Sequence, residues 1–178
     1  MNEELIIAGF GGQGVLSMGM TLAYAGMVED KQITWFPSYG PEMRGGTANC
    51  TVIVSDAIVS SPIISSYDTA IVLNQPSLEK FEPKVKPGGT LIYESNTVSD
   101  PPTRKDITVH AIAGALEAGK IGNAKTMNMI ILGAFLSQKP LVSVKSIMEA
   151  LSKVLPERNH HLLPINEKAL KHGMSLIK

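Results

Sequence analysis

The apolar run Leu5-Ile6-Ile7-Ala8 contains no polar member, the pattern of a strand buried on both faces. A glycine-rich turn follows at once, Gly9-Phe10-Gly11-Gly12-Gln13-Gly14, and residues 15–28 then read as a helix. Residues 32–36 form the next expected strand. Residues 47–55 alternate cleanly, with Ala48, Cys50, Val52 and Val54 on one face and Asn49, Thr51, Ile53 and Ser55 on the other. Residues 57–60 are expected to extend the sheet as a hairpin partner. A buried strand at 68–74 precedes a short helix at 77–81, opened by Pro76. Lys86-Pro87-Gly88-Gly89 reads as a turn, followed by strands at 90–94 and 106–111 and a helix at 112–118. The last third is helical. Residues 126–137 are apolar nearly all round, which predicts burial on several sides. Ser143 suits the N-cap of a helix carrying Ile147, Leu151, Val154 and Leu155, and a final helix runs from Pro164 to Gly173, placed as its C′ glycine. This alternation predicts one α/β domain over residues 1–178, a three-layer sandwich with a mainly parallel sheet, helices on both faces and a helical C-terminal third.

The glycine turn is the first candidate for chemistry. Gly9, Gly11 and Gly14 fit G-x-G-x-x-G in the strand–turn–helix setting that this pattern requires. Such a turn leaves bare backbone N–H groups at a helix N-terminus, where about half a positive charge attracts anions. A dinucleotide site also needs an acid near the end of the second strand to hold a ribose. Here that strand ends in Trp35-Phe36-Pro37-Ser38, and Glu29 and Asp30 lie before it in a solvated turn. A phosphate-binding P-loop is excluded too, because no Gly-Lys-Ser/Thr follows.

The second unusual stretch is Pro37-Ser38-Tyr39-Gly40-Pro41-Glu42-Met43-Arg44-Gly45-Gly46. Its prolines and glycines forbid a regular element. A constrained polar loop after a strand lines the carboxyl edge of a sheet, where ligands of open α/β sheets bind. The plainer alternative is a connecting loop in which Glu42 and Arg44 are solvated or weakly paired.

Composition narrows the remaining choices. Apolar residues are 44% and charged residues 18%, a globular balance. Sixteen basic residues offset sixteen acidic ones, and nucleic acid usually demands a basic face. No apolar run approaches the ~20 residues of a membrane span, and no secretory signal pattern opens the chain, so a cytoplasmic setting is expected. The single cysteine, Cys50, forms no internal disulfide and falls on an apolar strand face as a small buried hydrophobe. His160 and His161 are adjacent, so on a helix they point about 100° apart and do not converge on a metal. His172 sits in a last helical turn, where the dipole favours a cation. No Ser–His–Asp set, Cys–His pair or carboxylate pair stands out. That pattern suits a partner subunit better than a self-sufficient enzyme.

The two loops together resemble the gamma subunit of the 2-oxoacid:ferredoxin oxidoreductases. The likeness continues through Pro87-Gly88-Gly89, Gly122-Asn123-Ala124, Asn128-Met129, Leu132-Gly133-Ala134 and Asn166-Glu167-Lys168-Ala169. The resemblance implies a Rossmann-like domain in a complex that oxidatively decarboxylates a 2-oxoacid with coenzyme A, giving an acyl-CoA, CO2 and reduced ferredoxin. It implies alpha, beta and delta partner subunits, with thiamine diphosphate and magnesium between alpha and beta and 4Fe-4S clusters in beta and delta. It implies no cofactor on this chain and ferredoxin as electron acceptor. It assigns Gly9, Gly11, Gly12, Gln13 and Gly14 to an anion-facing, coenzyme A-facing or docking loop. Tyr39, Gly40, Glu42, Met43, Arg44, Gly45 and Gly46 become interface residues, with Glu42 and Arg44 fixing the docking geometry or Arg44 meeting an anionic group. The forms of the two motifs favour 2-oxoglutarate or 2-oxoisovalerate over pyruvate. A free-standing nucleotide- or coenzyme A-binding module is the rival reading, and a homodimer of the isolated chain stays open.

Overall fold

A computed structural model describes residues 1–39, 46–59, 61 and 63–177. Its centre is a six-stranded sheet. The strands are β1 (Asn2–Phe10), β2 (Gln32–Tyr39), β3 (Thr47–Ser55), β4 (Tyr67–Val72), β5 (Val85–Glu94) and β6 (Thr108–Ile112), in the order β2-β3-β1-β4-β5-β6. β1, β4, β5 and β6 pair in parallel, while β3 runs antiparallel to both of its neighbours, β1 and β2. The direction of β2 therefore matches that of β1, and five strands point the same way. Leu5 and Ile7 face one core and Ile6 and Ala8 the other, which is why the opening run lacks a polar member.

The helices are α1 (Val15–Val28), α2 (Gln75–Phe81), α3 (Gly114–Ile121), α4 (Met127–Gln138), α5 (Val144–Val154) and α6 (Leu163–Met174). α1 lies against β2 and β3 on one face, and α2 lies against β1 and β4 on the other. α4 is buried almost completely, from Met129 to Leu136, as its unbroken apolar sequence requires. Asn74 caps α2 by accepting from the Ser77 amide at 2.9 Å, and Ser143 caps α5 by accepting from the Ser146 amide at 3.1 Å. Among the described residues, no helix is long and apolar enough to cross a membrane.

Three local expectations are corrected. Residues 57–59 are not a strand, because Ser55 turns out of the sheet by bonding the Ala57 amide through its own hydroxyl at 3.1 Å. Lys86 to Gly89 is not a turn before the strand. It is a bulge inside β5, where Gly88 takes φ +76° and the pairing slips between Tyr67–Val85 and Thr69–Thr90. Gly173 is not a C′ residue. It lies within α6, and a Cβ there would strike the carbonyl oxygen of Ile130 on α4. Gly133 of α4 is matched in the same way to the Leu170 carbonyl of α6, so two glycines let these helices cross in backbone contact.

That crossing yields a paired prediction. Gly173→Ala forces α4 and α6 apart and lowers unfolding free energy by about 1–3 kcal/mol, read from the denaturant midpoint. Gly119→Ala, on α3 with nothing within 4 Å of the added methyl, raises stability by about 0.5–1 kcal/mol.

A second prediction concerns acid. Lys120 at 2.6 Å and His172 at 2.6 Å together hold the Glu117 carboxyl below its ordinary value of 4.5, and the His172 contact ties α3 to α6. A carboxyl lowered on folding stabilises fully above its unfolded value and loses that contribution as pH falls through the folded one. Wild type therefore unfolds more easily below about pH 4.5, and Glu117→Gln narrows its deficit against wild type as thermal unfolding is repeated towards about pH 3.

Candidate functional site

β1 ends at Phe10, and the chain reverses through Gly11 and Gly12 into α1. Gly12 has φ +98° and Gly14 has φ +79°, backbone that a side chain would strain. Gly14 is the N-cap and offers no side chain, so the first amides of α1 point free at the carboxyl edge of the sheet. The carboxyl ends of β1 and β2 and the start of β3 all meet there.

Gln13 commits both ends of its side-chain amide to the backbone. Its Oε1 accepts from the Phe10 amide at 2.6 Å, and its Nε2 donates to the Leu73 carbonyl at 2.8 Å. The same carbonyl accepts from the Thr97 hydroxyl at 2.7 Å. Gln13 thus stitches the end of β1 to the end of β4. Gly9 is glycine to let this brace close, since a Cβ there would come within 2.7 Å of Gln13 Oε1 and 2.9 Å of Leu73 Cβ. Gly11 donates to the Gly46 carbonyl at 3.0 Å, which ties the first loop to the end of the second.

A hollow of about 240 Å³ opens beside the turn, lined by Gly12, Gln13, Gly14, Lys125, Met127 and Asn128 among others. Its far wall is a second helix start. Asn123 accepts from the Lys125 amide at 3.0 Å and opens a 3-10 turn, Ala124–Thr126, that leads into α4. Asn128 reaches back to the glycine turn, where a Cβ on Gly14 would lie 2.6 Å from its Nδ2. The start of α1, the 3-10 turn and Lys125 therefore line one small space, and the α1 amides with the charge of Lys125 suit it to an anion. Lys125 escaped the sequence reading because it lies 111 positions beyond Gly14. The signal for it was Asn123, an N-cap set just before the apolar run of α4.

Of the expected interface residues, Tyr39 ends β2 and Gly46 closes the second loop against Gly11. Gly40, Glu42, Met43, Arg44 and Gly45 lie outside the described residues. Cys50 is fully buried, and burial pushes its thiol up to about 12 despite a nearby Trp35, so it is no nucleophile at neutral pH. His160 and His161 each bond a backbone carbonyl, of Leu155 at 3.0 Å and Arg158 at 2.9 Å, and do not converge. Burial lowers the pKa of His110 on β6. Glu94, which ends β5 at the same edge, is buried and accepts from the Ala115 amide at 3.1 Å, so it serves α3 and is closed to a ribose. Among the described residues, no three metal-ligating side chains gather.

A glycine turn at the carboxyl edge of a mainly parallel sheet, feeding a helix N-terminus, defines a Rossmann-like α/β domain. The chain belongs to the pyruvate ferredoxin/flavodoxin oxidoreductase family, whose pattern it matches over residues 4–176. It is 43% identical over 131 residues to ketoisovalerate oxidoreductase subunit VorA of Methanothermobacter thermautotrophicus, an alignment covering 74% of this chain and 27% of that protein. The chain thus spans about a quarter of the length of that curated relative. It is 32% identical over 163 residues to 2-oxoglutarate synthase subunit KorC of Methanothermobacter marburgensis, covering 88% of each. The gamma subunit of keto/oxoacid ferredoxin oxidoreductase from Geobacter sulfurreducens superposes with a TM-score of 0.84 at 28% identity, over 98% of this chain and 95% of that one.

The brace makes a direct prediction. Gln13→Ala leaves the Leu73 carbonyl with the Thr97 hydroxyl alone and opens the Phe10 amide to water, lowering stability by about 0.5–1.5 kcal/mol, with faster hydrogen exchange at the Phe10 amide than at neighbouring β1 amides.

Proposed function

We propose that this chain is a gamma-type subunit of a 2-oxoacid:ferredoxin oxidoreductase, supplying a docking and anion-holding domain to an active site assembled with other chains. The observation that carries this reading is the family match over residues 4–176, combined with a carboxyl-edge hollow lined by glycine backbone, Lys125, the amide side chains of Gln13 and Asn128, Ala124 and Met127. Such a set orients an anionic co-substrate. Coenzyme A, with its phosphates, fits that role, and Lys125 with the Gly12 and Gly14 amides is the place for one of its anionic groups. The thiamine and cluster chemistry falls to the alpha, beta and delta partners. An iron–sulfur cluster requires several thiolates, and this chain has one cysteine, fully buried. Identity to the ketoisovalerate and 2-oxoglutarate relatives supports a branched-chain or dicarboxylic 2-oxoacid as substrate.

The test is reconstitution. Viologen or ferredoxin reduction by the full complex, driven by 2-oxoisovalerate or 2-oxoglutarate with coenzyme A, requires this chain, and the chain alone turns over neither. Lys125→Glu raises the KM for coenzyme A about tenfold while kcat changes little, because the ammonium contributes binding made equally before and during reaction. Full activity of a complex lacking this chain contradicts the proposal.

A further inference from the structure

The sheet ends at β2, and that end is unguarded. β2 is the outermost strand, paired on one side with β3 and on the other with no strand among the described residues. Its outer row of backbone N–H and C=O groups is therefore open to another strand. Proteins usually blunt such an edge with charge, shortness or a bulge. β2 has none of these. It is eight residues long, no side chain from Gln32 to Tyr39 is charged, and its register with β3 runs unbroken from Gln32–Ser55 to Tyr39–Ala48. Pro37, which lacks an N–H, is its one interruption.

Apolar side chains flank this edge on both faces. On the α1 side, a hollow of about 470 Å³ is lined by Met20, Tyr24 and Met27 of α1 together with Ile33 and Trp35 of β2. The three α1 residues follow at i, i+4 and i+7, so they form one stripe along the helix. Met27 is 59% exposed and Tyr24 41%. On the opposite face Phe36 is 51% exposed. A helix or loop laid over one face would cover one of these sets. A strand added beside β2 extends the sheet and brings cover to both faces at once.

We propose that a second copy of this chain adds that strand, by antiparallel pairing of β2 with β2 about a two-fold axis. Charge is the argument for a copy. A two-fold contact sets side chains near the axis against their own kind, so charged groups at the seam would repel. β2 carries none. Lys31, just before it, is paired with Asp56 at 3.2 Å. Glu149 and Lys153 of α5, which border Tyr24 and Met27, pair with each other at 3.3 Å. Such a seam accepts its own image and offers an unlike charged partner nothing to select by. Pro37 sets the register. With no N–H to give, it is left outside when the axis passes at Thr34, and Gln32 to Phe36 of one copy then pair with Phe36 to Gln32 of the other. Ile33 of each copy lies opposite Trp35 of its mate, a β-branched and aromatic pair of the kind that stabilises antiparallel strands. α1 is carried along. Gly26 lies against Ile33 and Gly19 against Trp35, so the level of Thr34 falls between them, and Tyr24 is the exposed side chain nearest the axis.

The test joins mass with register. Sedimentation of the full chain at micromolar concentration gives a dimer. The Thr34→Cys variant forms an intermolecular disulfide on mild oxidation, because the two copies of position 34 meet at the axis, whereas Ser38→Cys on the same strand lies far from its mate and forms none. The native Cys50 is buried and stays silent. Tyr24→Glu, at an exposed helix position, keeps the far-ultraviolet circular dichroism of the wild type and weakens the dimer at least about tenfold, since two carboxylates meet at the axis. Mixing it with Tyr24→Lys restores a dimer that neither variant forms as tightly alone. A monomer in sedimentation overturns the proposal. So does a dimer that the Thr34→Cys variant does not cross-link, or one that Tyr24→Glu leaves unchanged. Cross-linking of the Thr34→Cys variant to a different polypeptide, in the complex purified from its native host, gives the edge to that polypeptide and overturns the second copy. Each of these outcomes leaves the gamma-type reading standing.

Discussion

The Gln13 side chain holds this domain's working edge together. By bonding the Phe10 amide on one side and the Leu73 carbonyl on the other, it locks the end of β1 to the end of β4 across a turn that has almost no side chains of its own. Beside that stitch the Gly11 amide bonds the Gly46 carbonyl, so the two loops meet where β1 ends. The stitch also explains the glycines without appeal to a ligand at each of them. Gly9 makes room for the Gln13 amide, Gly14 makes room for Asn128, and Gly12 alone faces the hollow with no neighbour in the way of an added methyl. The pattern G-x-G-x-x-G is thus satisfied here mostly by internal packing, with anion affinity left to the free amides and to Lys125.

Much of the fold was legible in the sequence because the signals were local. The buried run at β1, the alternation at β3 and the Ser143 cap each report a pattern closed within a few residues, and each element appears where expected. The failures were tertiary. Gly173 looked like a helix stop because nothing in its neighbours reveals that the Ile130 backbone lies against it. Gly88-Gly89 looked like a turn because a bulge and a turn use the same residues, and only the pairing partner distinguishes them. Within the site, the glycine turn could be read and Lys125 could not, since its proximity depends on α4 lying beside α1.

The same topology shapes the antiparallel side of the sheet. α1 covers β2 and β3 on one face. On the other face Thr51, Ile53 and Ser55 of β3 are buried, while Phe36 of the edge strand β2 is half exposed. On the gamma-subunit reading proposed above, such a domain contributes shape and a few oriented amides, and other chains supply the reactive groups.

The most direct measurement of that idea is calorimetric titration of coenzyme A into the isolated chain and into the assembled complex, side by side. On the gamma-subunit reading proposed above, binding is strong to the complex and negligible to the chain alone. Equal affinity in the two titrations would contradict the account.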